Sequence, residues 1–156
     1  MRPFSLPVIL LTLALLVVPA GAMPARPLLV AQSVSLGAGD YIQRGIDRAS
    51  HNDVRGMNEN FDKALQLAPN SYQVYVQRGY ARAMLKDYKG AVADQTAALR
   101  LKPDVAEAYA NRGTSRYRLG EREQARADWR KAAQIFRQKG ADEQAEQLEA
   151  VLRQYK

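Results

Sequence analysis

Three arginine pairs, Arg44/Arg48, Arg78/Arg82 and Arg112/Arg116, are spaced four residues apart within each pair and 34 residues apart from pair to pair. At that spacing two guanidinium groups share one helix face, and their planar forks match a carboxylate or a phosphate. Two chemistries follow. In one, Asp94 and Asp128 neutralise the arginines across a pair of helices, and Asn60, in the corresponding place, leaves Arg44 and Arg48 less compensated. In the other, the arginines form a ladder that grips an acidic or phosphorylated partner. The arginine face turns toward the second helix of its own unit, which favours the internal pairing.

Little else in the chain offers chemistry. The sequence has no cysteine, which excludes disulfides, thiolate metal sites and a cysteine nucleophile. His51 is the single histidine and sits beside Asn52 and Asp53, where a turn is expected, so it reads as a solvated loop residue. Gly37-Ala38-Gly39 reads as linker rather than a phosphate-binding loop. Glu121 and Glu123 lie at a helix start, where acids complement the macrodipole. No catalytic constellation, metal site or cofactor site emerges, and the chain is expected not to be an enzyme. The net charge of +7 favours acidic partners without identifying one.

The elements that position the arginines recur with the same period. Gly45, Gly79 and Gly113 align, as do Tyr41, Tyr75 and Tyr109, and Ala64, Ala98 and Ala132, with Pro69 and Pro103 closing the first two units. Self-similarity at this period signals a helical repeat array. In the central unit, Tyr75, Arg78-Gly79, Arg82 and Leu85 share a face, which predicts a first helix from about Ser71 to Leu85. Gly79 costs about 1 kcal/mol inside a helix, a cost that close backbone approach must offset. Asp87 is placed to cap a second helix, as are Asp53 and, less ideally, Glu121. Ala91, Ala98 and Leu99 then face the first helix, and Pro103 ends the second. Two departures stand out. Met57 replaces the first small alanine in unit 1, and Arg137 replaces the proline in unit 3, so that helix should run on to Lys139 before Gly140 stops it.

These features resemble the tetratricopeptide repeat family over residues 38 to 139, through Gly79, Ala91, Ala98 and Pro103 in the second unit and Gly113, Ala125 and Ala132 in the third. The resemblance implies an all-α helical-hairpin solenoid of three units, 38–71, 72–105 and 106–139. A capping helix over 140–156 follows, with Ala141, Ala145, Leu148 and Leu152 at helical spacing and acids positioned to pair with basic unit 3. It also implies a scaffold or adaptor whose concave face binds a peptide or protein segment. The residues on that face would be Ile42, Ile46 and Ala49, then Gln73, Val76, Tyr80 and Ala83, then Ala110, Thr114 and Tyr117. Of these, Ile42, Ile46, Gln73, Val76, Tyr80, Thr114 and Tyr117 are the candidate partner contacts, although Ile42, Val76 and Ala110 also suit a core between repeats. The lysines and asparagines with which chaperone-tail-binding members hold a terminal carboxylate are absent as a set, so that activity is not expected here.

From Arg112 to Lys139 basic residues outnumber acids, and Arg118, Arg122 and Arg126 are candidate contacts for an acidic partner. This motivates an alternative function, a membrane-peripheral or complex-assembly factor docking through its third unit to anionic lipid or an acidic protein. Nucleic acid is not expected, because no aromatic-interleaved motif accompanies the charge. Trp129, with Ala125, Ala132, Ala133 and Phe136 at helical spacing, reads as core. The N-terminus carries Arg2, an apolar run from Val8 to Val18, and Ala20 and Ala22 at signal-peptidase spacing. Residues 1–22 are therefore expected to be a cleaved signal peptide, with Ala31 as a later cleavage point, followed by a linker over 23–37. The run is short for a bilayer span of about 20 apolar residues. Export to the periplasm or an equivalent extracytoplasmic compartment, such as a thylakoid lumen, is the expected localisation, ahead of an N-terminal anchor.

Overall fold

A computed structural model describes residues 36–155. The expected signal peptide, and the expected linker up to residue 35, lie outside the described residues. Within them the chain forms α1 (Ala38–Ser50), α2 (Val54–Leu67), α3 (Tyr72–Met84), α4 (Tyr88–Leu101), α5 (Ala106–Arg118), α6 (Arg122–Gln138) and α7 (Asp142–Gln154). The fold is all-α: three helical hairpins, α1/α2, α3/α4 and α5/α6, stacked in chain order and finished by α7. Among the described residues no helix is long and apolar enough to cross a membrane.

Local sequence sets the hairpin turns. The first helix of each unit hands over through one residue with left-handed backbone: Asn52 at φ 57°, Lys86 at φ 62° and Gly120 at φ 85°. The next residue caps the second helix. Asp53 and Asp87 each accept a hydrogen bond from the N–H three residues on, at 2.8 Å from Gly56 and 2.9 Å from Gly90. Glu121 makes no side-chain cap bond and lies instead 3.7 Å from Arg116. Pro69 and Pro103 follow the ends of α2 and α4. With Arg137 in the equivalent place, α6 runs for 17 residues against 14 in α2 and α4, and Gly140 at φ 73° stops it.

Small residues hold the hairpins closed. Ala64, Ala98 and Ala132 are wholly buried. A Cβ on Gly79 would come within 2.6 Å of the Gln95 amide nitrogen and 3.2 Å of the Ala91 carbonyl oxygen, so it would displace the Gln95 side chain and crowd the α4 backbone, and glycine lets α3 lie close to α4. Gln95 occupies the register position of Phe61 and Trp129 in the sister hairpins, and all three are buried.

The hairpins do not stack identically. α3 rests chiefly on α1, with Val74 and Ala81 joining the buried cluster of Ala49, Met57, Phe61 and Ala64. α5 rests chiefly on α4, with Val105 and Ala108 packed against Ala98 and Leu99. α7 packs on α6 through the wholly buried Ala145, and Arg137 donates to Glu149 at 3.0 and 2.7 Å across that seam. The residue that replaced proline thus fastens the cap. The stacking difference leaves the open faces of α3 and α5 as the walls of a groove.

Candidate functional site

The arginine face is internally committed in the second and third hairpins. The Arg78 Nε and Nη2 donate to the two Asp94 oxygens at 3.0 and 2.6 Å, and Arg82 adds a third bond at 2.8 Å. Arg112 and Arg116 repeat the pattern on Asp128 at 2.9, 2.7 and 2.8 Å. Arg78 also lies over the Tyr75 ring, and Arg112 over that of Tyr109. Burial works against the Arg78 charge, but the hydrogen bonds and charge of Asp94 outweigh it, so its pKa is raised above the usual arginine value. Both arginines reach back one unit as well, Arg78 to within 3.7 Å of Asp62 and Arg112 to a 3.2 Å bond with Thr96. In the first hairpin Asn60 donates to the Gly56 carbonyl, Arg48 pairs with Asp53 at 3.3 Å, and Arg44 is exposed. The ladder is therefore a set of seams within and between hairpins.

The opposite face of the same helices is open. A hollow of about 550 Å³ lies between α3 and α5, with Val76, Val105 and Ala110 as apolar lining, Tyr72 and Tyr80 as rings, and Gln73, Gln77 and Asn111 as amides. Phe136 completes the wall. It is the first residue of α6 beyond the register at which α4 ends, so the missing proline also brings this ring to the groove. Glu107 is the one charged residue in the lining. A second hollow of about 210 Å³ shares Tyr80 and Asn111 and adds Ala83, Tyr88, Thr114, Ser115 and Arg118. Tyr80, which stands in both, is 46% exposed. Each primary amide carries both a donor and an acceptor, so Gln73, Gln77 and Asn111 are equipped to pair with a peptide main chain running either way. Tyrosine supplies contact area with a polar tip. Among the described residues no group of histidines and carboxylates suits a metal ion.

The structure gathers Gln73, Val76 and Tyr80 in the larger hollow and Tyr80 and Thr114 in the smaller. Val76 is only 7% exposed and belongs to the core cluster with Ala98 and Leu99, so it contributes the edge of a packed residue. Ile42 and Ile46 are partly buried against the first cluster, at the junction where α3 rests on α1. Tyr117 lies apart, its ring centroid 5.7 Å from that of Trp129 and 4.7 Å from that of Tyr155 beyond α7. Tyr72, Gln77, Glu107 and Asn111 join the groove although the sequence pattern did not mark them, and Phe136, which helical spacing grouped with the core residue Trp129, is partly buried and lines it too. A signal for two of them exists: Gln43, Gln77 and Asn111 form an amide column directly before the Arg-Gly pairs.

Arg118 and Arg122 are exposed, and Arg126 is half-buried with its Nη1 donating to the Tyr155 carbonyl at 3.2 Å. Arg122 and Arg126 share a hollow with Tyr117, Tyr155 and the acid Glu123. Glu123 thus partly offsets the basic character of this hollow. Trp129 is buried at 3% exposure beneath it, and its Nε1 donates to Thr114 at 3.4 Å.

Residues 72–105 match the family model for the tetratricopeptide repeat. No curated protein matches the chain. Among solved structures, the chain is similar to the TPR domain of Arabidopsis OM64, at 23% identity and a TM-score of 0.64 over 77% of this chain and 97% of that one. It is also similar to the TPR2B domain of yeast Sti1 in its pHsp70 complex, at 19% identity and a TM-score of 0.66 over 74% and 92%. The type III secretion translocator chaperone SycD of Yersinia enterocolitica gives 11% identity and a TM-score of 0.67 over 76% and 90%. At these identities the likeness establishes the fold.

Proposed function

We propose that this chain is an array of tetratricopeptide repeats and works as a non-enzymatic adaptor, holding a segment of another protein between the open faces of α3 and α5. The observation that carries the reading is Tyr80, nearly half exposed and shared by two adjoining hollows, with the Asn111 amide beside it in both. A large ring left in water, set among paired donor and acceptor groups, suits capture of an extended chain. Similar repeat domains have been solved with peptides, one of them bound to the HSP90 peptide SRMEEVD. That peptide carries three acids. The larger hollow here has Glu107 as its one charge, so an acidic tail is disfavoured and a neutral or partly basic segment fits better.

We also propose that the protein works outside the cytoplasm. The support is the leader alone: Arg2, the apolar run Val8 to Val18, and Ala20 and Ala22 before the expected cleavage point.

The adaptor reading is tested by replacing Tyr80 and Asn111 together with alanine and recovering partners from the exported fraction. Capture should fall at least tenfold while the far-ultraviolet circular dichroism is unchanged, and an Arg100→Ala control on α4 should capture like the parent. Undiminished capture by the double variant would remove the groove from the interaction.

A further inference from the structure

The two hollows between α3 and α5 share Tyr80 and Asn111, and each contains one charge. Glu107, in the first turn of α5, lines the larger hollow, and Arg118, in the last turn of the same helix, lines the smaller. Both are exposed, and neither takes part in an ion pair among the described residues. An acid at a helix start and a base at its end suit the macrodipole, which accounts for the signs but not for both facing the groove. The α3 residues at the same repeat positions are Gln73 and Met84, both uncharged, so of the two helices that wall both hollows only α5 brings a charge to each.

Resting on the adaptor reading above, we infer that this groove selects an extended partner segment with opposite charges at its two ends, a basic side chain beside Glu107 and an acidic one beside Arg118, with apolar side chains between them. The two positions are eleven residues apart on α5, a rise of about 16 Å, which an extended chain covers in about five residues. The interval is served by Val76, Ala110 and Tyr80, which offer apolar contact, and by the neutral amides of Gln77 and Asn111. The charges therefore fix the direction in which the segment lies, while the amides accept either direction.

The test uses the full mature chain and three labelled, end-blocked hexapeptides: Arg-Leu-Val-Phe-Ala-Asp, the charge-exchanged Asp-Leu-Val-Phe-Ala-Arg, and the neutral Gln-Leu-Val-Phe-Ala-Asn. Fluorescence anisotropy at low salt reads binding. One charged order should bind about twofold to fivefold tighter per matched end than the neutral peptide, and the other order should not. The double variant Glu107→Arg/Arg118→Glu should invert the preference between the two orders. Equal binding of all three peptides by the parent, weakened alike by Tyr80→Ala, would overturn the directional selection while leaving the groove as the binding surface. Failure of the parent to bind any of the three would count against both readings. An order preference that the exchanged variant leaves unchanged would place the charge recognition elsewhere and overturn the inference.

Discussion

Asp94 receives a two-bond fork from Arg78 at 3.0 and 2.6 Å, and is itself only 3% exposed. A third bond arrives from Arg82, one turn along α3. Replacing Asp94 with alanine would leave two like charges on one helix face with their shared partner gone and the Arg78 side chain still 14% exposed. Removing one member of such a buried group costs about 3–5 kcal/mol. Urea unfolding followed by circular dichroism should show that loss, and a cost under about 1 kcal/mol would mean that the seam is not structural. The raised pKa of Arg78 makes its contribution fully present below the arginine range and lost only on titration above it, so the parent's stability from this pair should not vary between neutral and mildly alkaline pH.

Gln95 is wholly buried where its sister residues are Phe61 and Trp129. Its amide nitrogen donates to the Val76 carbonyl at 3.0 Å, but its oxygen is buried without a partner. An unsatisfied buried acceptor costs about 1–3 kcal/mol, whereas an apolar side chain of similar size carries no such cost. Gln95→Leu should therefore stabilise the chain by about 1 kcal/mol, raising its melting temperature by roughly 3–6 °C. A lower melting temperature would show that the bond to Val76 contributes more than the stranded oxygen removes.

Lys86 holds a φ of 62°, and Gly120 holds 85° at the same position of the next hairpin. A side chain in left-handed backbone costs about 1 kcal/mol, which glycine avoids at some expense in unfolded-state entropy. Lys86→Gly should give a net gain of about 0.5 kcal/mol, and Lys86→Val a clear loss, read by thermal unfolding. If valine proved as good as lysine, strain at this turn would not be what selects the residue.

The division between what sequence discloses and what packing decides runs through these same helices. The 34-residue columns reveal the hairpins, the arginine and aspartate seams, the Asp53 and Asp87 caps and the extension of α6, because each depends on spacing within one or two adjacent helices. The groove is different. Helical periodicity puts Ile42, Ile46, Gln73, Val76, Thr114 and Tyr117 on comparable faces, but which of them stays open depends on how each hairpin sits on the previous one. Because α3 rests on α1, Ile42 and Ile46 pack at a core edge. Because α5 rests on α4, Asn111 and Glu107 come to line a hollow with Tyr80 or its neighbours. Tyr117 is drawn away by stacking on Tyr155, a contact 38 residues distant that no repeat register contains.

The leader prediction is checked by mass. Expressed with its own N-terminus in a bacterial host, the exported chain should begin at Met23, or at Gln32 if the later site is used. Intact mass spectrometry of the extracytoplasmic fraction separates these outcomes. A chain that retains Arg2 and stays with the membrane would replace export by anchoring.

A partner segment is expected to lie against the shared wall of the two hollows. A photo-crosslinking side chain in place of Tyr80 tests it most directly, with the same group in place of Arg100 on α4 as the control. On irradiation in the exported fraction, the Tyr80 position should yield a discrete protein adduct that the Arg100 position does not. Adducts of equal yield from both positions, or from Arg100 alone, would contradict the account.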